Sequence, residues 1–120
     1  MARHLRERID AAVSRGLRRD ALAVDPGIGF GKTVDHNLEL LADLPAIGAC
    51  GRPVVVGLSR KSFLGALTGR PVEERLAASL AAMTFCMLNG AHILRVHDVK
   101  ESRDAAVVVA ALRGKQIRVG

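Results

Sequence analysis

The chain has 120 residues, which is room for one small domain spanning residues 1–120. Apolar residues make up 49% and charged residues 25%, a balance typical of a globular protein and not of a disordered tail. Lysine and arginine give the chain a net charge of +6, but Trp and Tyr are absent, which argues against a protein that stacks nucleic acid on aromatic rings. Two cysteines are too few for a disulfide framework or a zinc cage.

A membrane-spanning segment is not predicted. The apolar stretch 76–88 is shorter than the roughly 20 residues that cross a bilayer, so we expect it to form a largely covered helix. The N-terminal sequence MARHLRERID is charged and lacks the apolar core of a secretory signal. These features predict a cytoplasmic protein.

Alternating helices and strands are predicted along the chain. Continuous apolar runs typical of strands buried on both faces lie at Leu22–Asp25, Val54–Leu58 and Ile93–Val96. Helical periodicity predicts four main helices, at Leu5–Gly16, Asp35–Leu44 (stopping before Pro45), Val72–Asn89 and Glu101–Arg113, the last with a capping box at Asp98 and an end at Gly114.

This order predicts an α/β fold with right-handed βαβ units and a parallel sheet. Three strands leave two open sheet edges, and most α/β domains that stand alone have more strands. We therefore expect the chain to be part of a larger fold and to be marginally stable by itself.

Three motifs follow the three strands. They are DPGIGFGKT at 25–33, GLSRKSF at 57–63 and RVHD at 95–98. In parallel α/β folds, ligands bind at the carboxyl ends of the strands. The sequence therefore predicts one pocket built from all three motifs.

The glycine-rich motif is not a standard phosphate loop. The first glycine of a P-loop would fall on Pro26, and the third glycine of a dinucleotide loop would fall on Lys32. The glycines alone are consistent with a tight turn. Asp25 is more informative, because a carboxylate at a buried strand end needs a donor, such as the adjacent N–H groups of an aminopyrimidinone ring.

Cations gather at the other two strand ends. Alternation along a strand places Arg95 and His97 on the same side, and Arg60 and Lys61 follow the neighbouring strand. This set favours a compact anion such as a diphosphate or a carboxylate. The alternative is that these cations pair with Asp25 and Asp98 or are solvated charges at the rim.

Other polar residues carry less information. Ser62 begins the next helix, where it could hold an anion. The remaining histidines, the two cysteines and the arginines of the first helix are interpreted as structural or solvated residues, namely His4, His36, His92, Cys50, Cys86, Arg3, Arg6, Arg8, Arg15, Arg18 and Arg19.

Together the three motifs, in this order and spacing, resemble the C-terminal part of bacterial dihydropteroate synthase. The resemblance implies strands six to eight of a (βα)8 TIM barrel, with the first five strands absent. It also implies a transferase of folate biosynthesis that condenses 7,8-dihydropterin-6-ylmethyl diphosphate with para-aminobenzoate, releasing diphosphate with Mg²⁺ present.

Site roles follow from the same resemblance. It assigns catalytic roles to Asp25, Lys61, Arg95 and His97. Asp25 and Lys61 contact the pterin, with Lys61 also near the aminobenzoate, while Arg95 and His97 hold the diphosphate. The remaining substrate-binding positions are Phe30 and Gly57 in the pocket wall, with Arg60 and Ser62 at the aminobenzoate and its carboxylate.

No metal ligand is expected in this chain, because the resemblance places the Mg²⁺ ligand in the missing N-terminal strands. The alternative to a catalytic fragment is a non-catalytic pterin- or anion-binding remnant, with a homodimer covering its open edges. A related pterin-binding methyltransferase fits the motifs less well, since its reaction has no diphosphate for these cations to bind. A nucleic-acid binder fits less well because the chain has few aromatic residues.

Overall fold

The computed structural model describes the backbone of residues 1–119 and the side chains of residues 1–115. In chain order the helices and strands are α1 (Ala2–Ser14), α2 (Val34–Ala42), α3 (Leu44–Gly48), β1 (Val55–Val56), α4 (Ser62–Thr68), α5 (Leu76–Leu88), β2 (Ile93–Leu94) and α6 (Val99–Val119), with 3-10 turns at Arg19–Ala21 and Val72–Glu74. No helix within residues 1–119 is long and apolar enough to cross a membrane.

The strands are parallel, as predicted. β1 pairs with β2 in the register Val55 to Ile93, and a parallel bridge joins Val24 to Val54 on the other side of β1. The N–H of Val55 donates to Val24 O at 2.7 Å. The sheet order therefore follows the chain order, with β1 in the centre.

The strands are shorter than predicted, and the first is a single bridge instead of a strand over Leu22–Asp25. Leu22 O accepts the Arg52 Nε–H at 2.8 Å, so a side chain supplies the donor that a backbone N–H would supply in a ladder. Pro26 and Pro53 have no N–H to donate. Pairing on this side is therefore confined to the residues around Val24.

The core lies between the sheet and the helices that follow its strands. Fully buried side chains come from the glycine loop, α3 and the central strand, at Ile28, Leu44, Ile47, Val54 and Val56. Cys86 is buried among them, and this burial raises the pKa of its thiol to about 11. The N–H of Val54 donates to His92 Nδ1 at 3.0 Å, which gives His92 a structural role.

Two predicted helix boundaries around α2 and α3 are wrong. α2 begins earlier than predicted because the Thr33 side chain caps it, accepting the His36 N–H at 3.1 Å. Pro45 does not stop the helical region; it lies in the first turn of α3. A proline is tolerated there because first-turn N–H groups have no partner within the helix.

The last two helices also differ from prediction. α6 begins at Val99 and continues through Gly114 to Val119, because Gly114 keeps a helical backbone instead of adopting a positive φ. Gly120 lies outside the described residues. α5 begins at Leu76 after a 3-10 turn, and one face is exposed, with Phe85 46% and Leu88 51% accessible. The prediction that this helix is largely covered is therefore wrong.

Replacing Ile47 tests where stability arises. Ile47→Ala removes a fully buried side chain from α3, and we expect it to lower the free energy of unfolding by about 2–5 kcal/mol. The measurement is urea denaturation followed by circular dichroism. Leu67→Ala is the control, because this α4 side chain is 54% exposed and should change stability by less than about 1 kcal/mol. Equal effects of the two substitutions would contradict the assigned core.

Candidate active site

Asp25 and Arg95 connect the first and third strand ends. Arg95 Nη2 donates to Asp25 Oδ2 at 2.7 Å, and Asp25 Oδ1 accepts the Gly27 N–H at 2.8 Å. The Arg95 side chain remains 56% exposed and the Asp25 side chain 34% exposed. Arg95 therefore pairs with a nearby carboxylate, which is the alternative that the sequence left open. The pair still faces solvent.

Hydrogen bonds within the glycine-rich loop and from the adjacent helix fix its conformation. Three of its glycines have positive φ, and Lys32 Nζ donates back to Gly27 O at 2.8 Å. The buried Asn37 of α2 accepts the Gly29 N–H through Oδ1 at 2.8 Å. Lys32 thus stabilises the loop itself, unlike the lysine of a P-loop. Sequence reasoning missed Asn37, whose only signal was an amide on a helix that follows the loop.

Lys61 reaches from the second strand end to this loop. Its Nζ donates to Ile28 O and lies 4.6 Å from the centroid of the Phe30 ring, a cation–π geometry. Desolvation lowers the pKa of Lys61, and the nearby Arg95 charge lowers this pKa further. The structure therefore brings together Lys61 and Phe30, as the motifs predicted.

Arg60 is directed away from the loop. Its guanidinium donates to both carboxylate oxygens of Asp98, with Nη2 at 2.6 Å from Oδ1 and Nε at 3.2 Å from Oδ2. The hydrogen bond from Arg60 lowers the pKa of Asp98. Asp98 is thus engaged with Arg60 instead of forming the predicted capping box. Ser62 is exposed at the first residue of α4.

His97 is held by a serine that sequence reasoning missed. Ser59 Oγ lies 3.0 Å from His97 Nδ1 and accepts the His97 N–H at 3.3 Å. Ser59 is buried, and it lies within the GLSRKSF motif next to Arg60. Its position in a motif at a strand end was the available signal.

An open cavity joins these strand ends. It has a volume of about 260 Å³ and is lined by Phe30, Gly57, Ser59, Lys61, Arg95, Val96 and His97. A Cβ at Gly57 would lie 2.7 Å from Arg95 Nη2, so a larger residue in this wall would displace the Arg95 guanidinium. Asp25 borders the cavity through its bond to Arg95, whereas Arg60 and Ser62 are not among the lining residues.

The cavity combines one lysine and one arginine charge with an exposed aromatic ring. Phe30 is 67% accessible, which offers a face for a flat ring, while Lys61 and Arg95 favour an anionic group. The site therefore suits a ligand that joins a planar heterocycle to an anion. A cavity at the carboxyl ends of parallel strands is the usual position of the ligand site in α/β enzymes, so the fold and the cavity together define a ligand-binding α/β protein.

Comparison with known proteins gives the family. The model of the pterin binding enzyme family matches residues 1–97, so the chain belongs to this family. Dihydropteroate synthase of Escherichia coli K12 is 44% identical over 109 residues, which cover 91% of this chain and 39% of that protein. The chain thus spans about two-fifths of the length of this relative. The folate synthesis bifunctional protein of Arabidopsis thaliana is 40% identical, over 98% of this chain and 26% of that protein.

Solved structures agree. The dihydropteroate synthase from Xanthomonas albilineans in complex with 7,8-dihydropteroate is 47% identical, with a TM-score of 0.91, over 93% of this chain and 43% of that one. The same enzyme solved with 4-aminobenzoic acid also has a TM-score of 0.91, at 47% identity over 93% of this chain and 41% of that one. The predicted partial barrel and the resemblance to dihydropteroate synthase are confirmed.

Lys61 allows a test of the site's electrostatics. We expect Arg95→Met to raise the pKa of Lys61, because a neighbouring positive charge is removed, and Asp25→Asn to lower it, because an attracting carboxylate is removed. The measurement is a pH titration of the Lys61 side-chain nitrogen by NMR. Arg18→Met is the control, because Arg18 is exposed, pairs with Asp20 and does not line the cavity.

Stability should depend on pH for the same reason. The pKa of Lys61 is lower in the folded chain than its ordinary value of 10.5, so between these two pKa values the unfolded chain binds more protons. The free energy of unfolding should therefore rise as pH rises toward 10.5. Lys61→Met should reduce this rise; an unchanged profile would contradict the assignment.

Proposed function

We propose that the chain carries the part of a dihydropteroate synthase active site that corresponds to barrel strands six to eight. Its substrates are 7,8-dihydropterin-6-ylmethyl diphosphate and para-aminobenzoate, and its reaction is their condensation to 7,8-dihydropteroate and diphosphate. The observation that carries this proposal is the cavity that unites Phe30, Lys61, Arg95 and His97 beside Asp25.

Asp25 is proposed to bind the pterin. Its carboxylate already accepts a backbone N–H at Oδ1, so Oδ2 is the atom that would accept an N–H of the aminopyrimidinone edge once Arg95 releases or shares it. The side chains of this pair are half exposed, and exposed pairs contribute only about 0–1 kcal/mol. Replacing the Asp25–Arg95 pair with contacts to a ligand therefore costs little free energy.

Arg95 and His97 are proposed to bind the diphosphate. Arg95 supplies a fork of donors suited to phosphoryl oxygens. His97 has Nδ1 next to Ser59 Oγ. If the serine hydroxyl donates to Nδ1, the proton of the neutral ring lies on Nε2, which then donates toward an anion. In that arrangement the Ser59 hydroxyl favours the tautomer of His97 that can donate from Nε2.

The proposed reaction develops charge in two places. The bond between the pterin methylene carbon and the diphosphate oxygen breaks, and its electron pair leaves with diphosphate. The arylamine nitrogen then forms the new C–N bond and loses a proton. Asp25 stabilises the positive pterin intermediate, and Arg95 and His97 stabilise the leaving diphosphate.

The aminobenzoate is proposed to lie between Lys61 and α4. Gly57 lines the cavity, whereas Ser62 lies outside the cavity lining at the first residue of α4, so its role at the carboxylate stays a proposal from the resemblance. Arg60 is neutralised by Asp98, so its stem is better suited to packing against the ring than to holding the carboxylate.

A magnesium site is not evident in the part of the chain that the structure describes. Within the residues that the structure describes, no three His, Cys, Asp or Glu side chains are grouped to hold a metal, and Asp25 and Asp98 each pair with an arginine. No step above uses the ion. We propose that Mg²⁺, required by the resemblance, takes its protein ligand from barrel strands outside this sequence.

We further propose a cytoplasmic protein, since both cysteines are free thiols, as is typical of a reducing compartment. The second candidate function is a non-catalytic pterin- or anion-binding remnant. It is favoured by the exposed apolar face of α5, which a homodimer would cover. Formation of dihydropteroate by the purified chain would exclude the remnant.

Binding by two variants tests the proposed site. Asp25→Asn should weaken binding of 6-hydroxymethyl-7,8-dihydropterin about tenfold or more, and Arg95→Met should do the same for inorganic diphosphate, because a charge-assisted hydrogen bond contributes about 1.5–3 kcal/mol. Each variant should affect the other ligand less. The measurement is isothermal titration calorimetry.

Arg18→Met is the matched control, because it removes one exposed arginine, which pairs with Asp20 two residues along the chain. An equal loss of diphosphate binding in Arg18→Met and Arg95→Met would show that net charge, and not the cavity, binds the anion. That result would refute the proposed function.

A further inference from the structure

Arg60 has an unusual backbone conformation. It is the one non-glycine residue with positive φ within residues 1–119, at φ 58°. The Lys61 N–H donates to Leu58 O at 3.1 Å and closes a four-residue turn with Arg60 in its third position. Turns with positive φ at this position normally have glycine there, because a Cβ crowds the backbone. An arginine stays in this conformation only where its surroundings hold it.

Two residues at the start of α5 hold the backbone of Arg60. Ser79 Oγ accepts the Arg60 N–H at 2.9 Å, and Arg75 Nη1 donates to Arg60 O at 3.0 Å. Ser79 is 4% exposed within an otherwise mostly apolar helix. A buried hydroxyl needs a hydrogen-bond partner, and here the partner is the strained peptide.

Helix α4 leaves room for the second of these contacts. Gly65 faces the Arg75 guanidinium, and a Cβ on Gly65 would lie 2.3 Å from Arg75 Nη2. Any larger residue would therefore displace the guanidinium. The glycine in α4 and the arginine before α5 together allow the bond to Arg60 O.

The turn controls where Lys61 points. Lys61 has an extended backbone, with φ −69° and ψ 156°, and its Nζ reaches Ile28 O and the Phe30 ring. The Arg60 side chain points instead to Asp98. A change of Arg60 to negative φ would rotate the peptide that joins it to Lys61 and move the lysine away from the glycine-rich loop.

We propose that Ser79 and Arg75 are positioning residues, which keep the left-handed turn at Arg60 and thereby place Lys61 in the cavity. Neither residue lines the cavity between the strand ends. What Lys61 binds rests on the proposed function, but the placement of Lys61 by the turn does not.

The experiment is NMR of the full chain with Ser79→Ala. We expect hydrogen exchange of the Arg60 amide to become at least about tenfold faster, because the amide loses its acceptor, and the Lys61 side-chain nitrogen signal to move toward that of a solvated lysine. Ser102→Ala is the matched control, since Ser102 is a buried serine on α6 that makes no hydrogen bond to Arg60. It should change neither signal.

Two further variants separate positioning from simple packing. Ser79→Thr keeps the hydroxyl and should keep both signals. Adding Arg60→Gly to Ser79→Ala should restore the Lys61 signal, because glycine adopts positive φ without help. The same rescue should restore folding if Ser79→Ala alone does not fold. An unchanged Lys61 signal in Ser79→Ala, or no rescue by glycine, would overturn the proposal.

A ligand titration distinguishes this proposal from the proposed function. With 6-hydroxymethyl-7,8-dihydropterin as the probe, Ser79→Ala should bind about tenfold more weakly than the unsubstituted chain, and Ser79→Thr should bind equally well. If the unsubstituted chain binds no pterin while Ser79→Ala still shifts the Lys61 signal, the proposed function fails and the positioning role stands.

Discussion

Hydrogen bonds on both sides of the segment Val54–Val56 determine where the site residues lie. Val55 N–H bonds to Val24 O on one side, and Val56 O accepts the Arg95 N–H on the other. Since both pairings are parallel, the three loops leave the sheet at the same end, where the carboxyl ends of the strands lie. Asp25, Lys61 and Arg95 come from distant parts of the chain and meet at this end.

Under the proposed function, the charges at this end of the sheet exchange their partners for a ligand. Asp25 pairs with Arg95 and Asp98 pairs with Arg60, while Lys61 faces the glycine-rich loop and donates to Ile28 O. The Asp25–Arg95 pair is open to solvent and is weak for that reason. A ligand with donors for Asp25 and an anion for Arg95 satisfies both partners at once, so binding replaces the pair without leaving either charge unpaired.

The sequence predicts the parts of this protein that depend on local patterns. Continuous apolar runs located the three strands, and the motifs after them located Phe30, Lys61, Arg95 and His97 in one cavity. The extent of the first strand depended on Arg52 capturing the Leu22 carbonyl, a contact across 30 residues that no local pattern contains. Ser79 is similar, since its role appears only when α5 lies against the turn at Arg60. Gly114 was predicted to end the last helix, but α6 continues through it. A glycine ends a helix only where its backbone leaves the helical region.

The most direct test of the account is a map of backbone amide shifts on adding inorganic diphosphate. The account holds that one anion site is formed by three strand ends. It predicts shifts confined to the glycine-rich loop, the segment 57–61 and the segment 95–97, saturating at one ligand per chain. Shifts spread over the arginines of α1, without saturation, would show that the +6 charge of the chain attracts anions generally and would contradict a site at the strand ends.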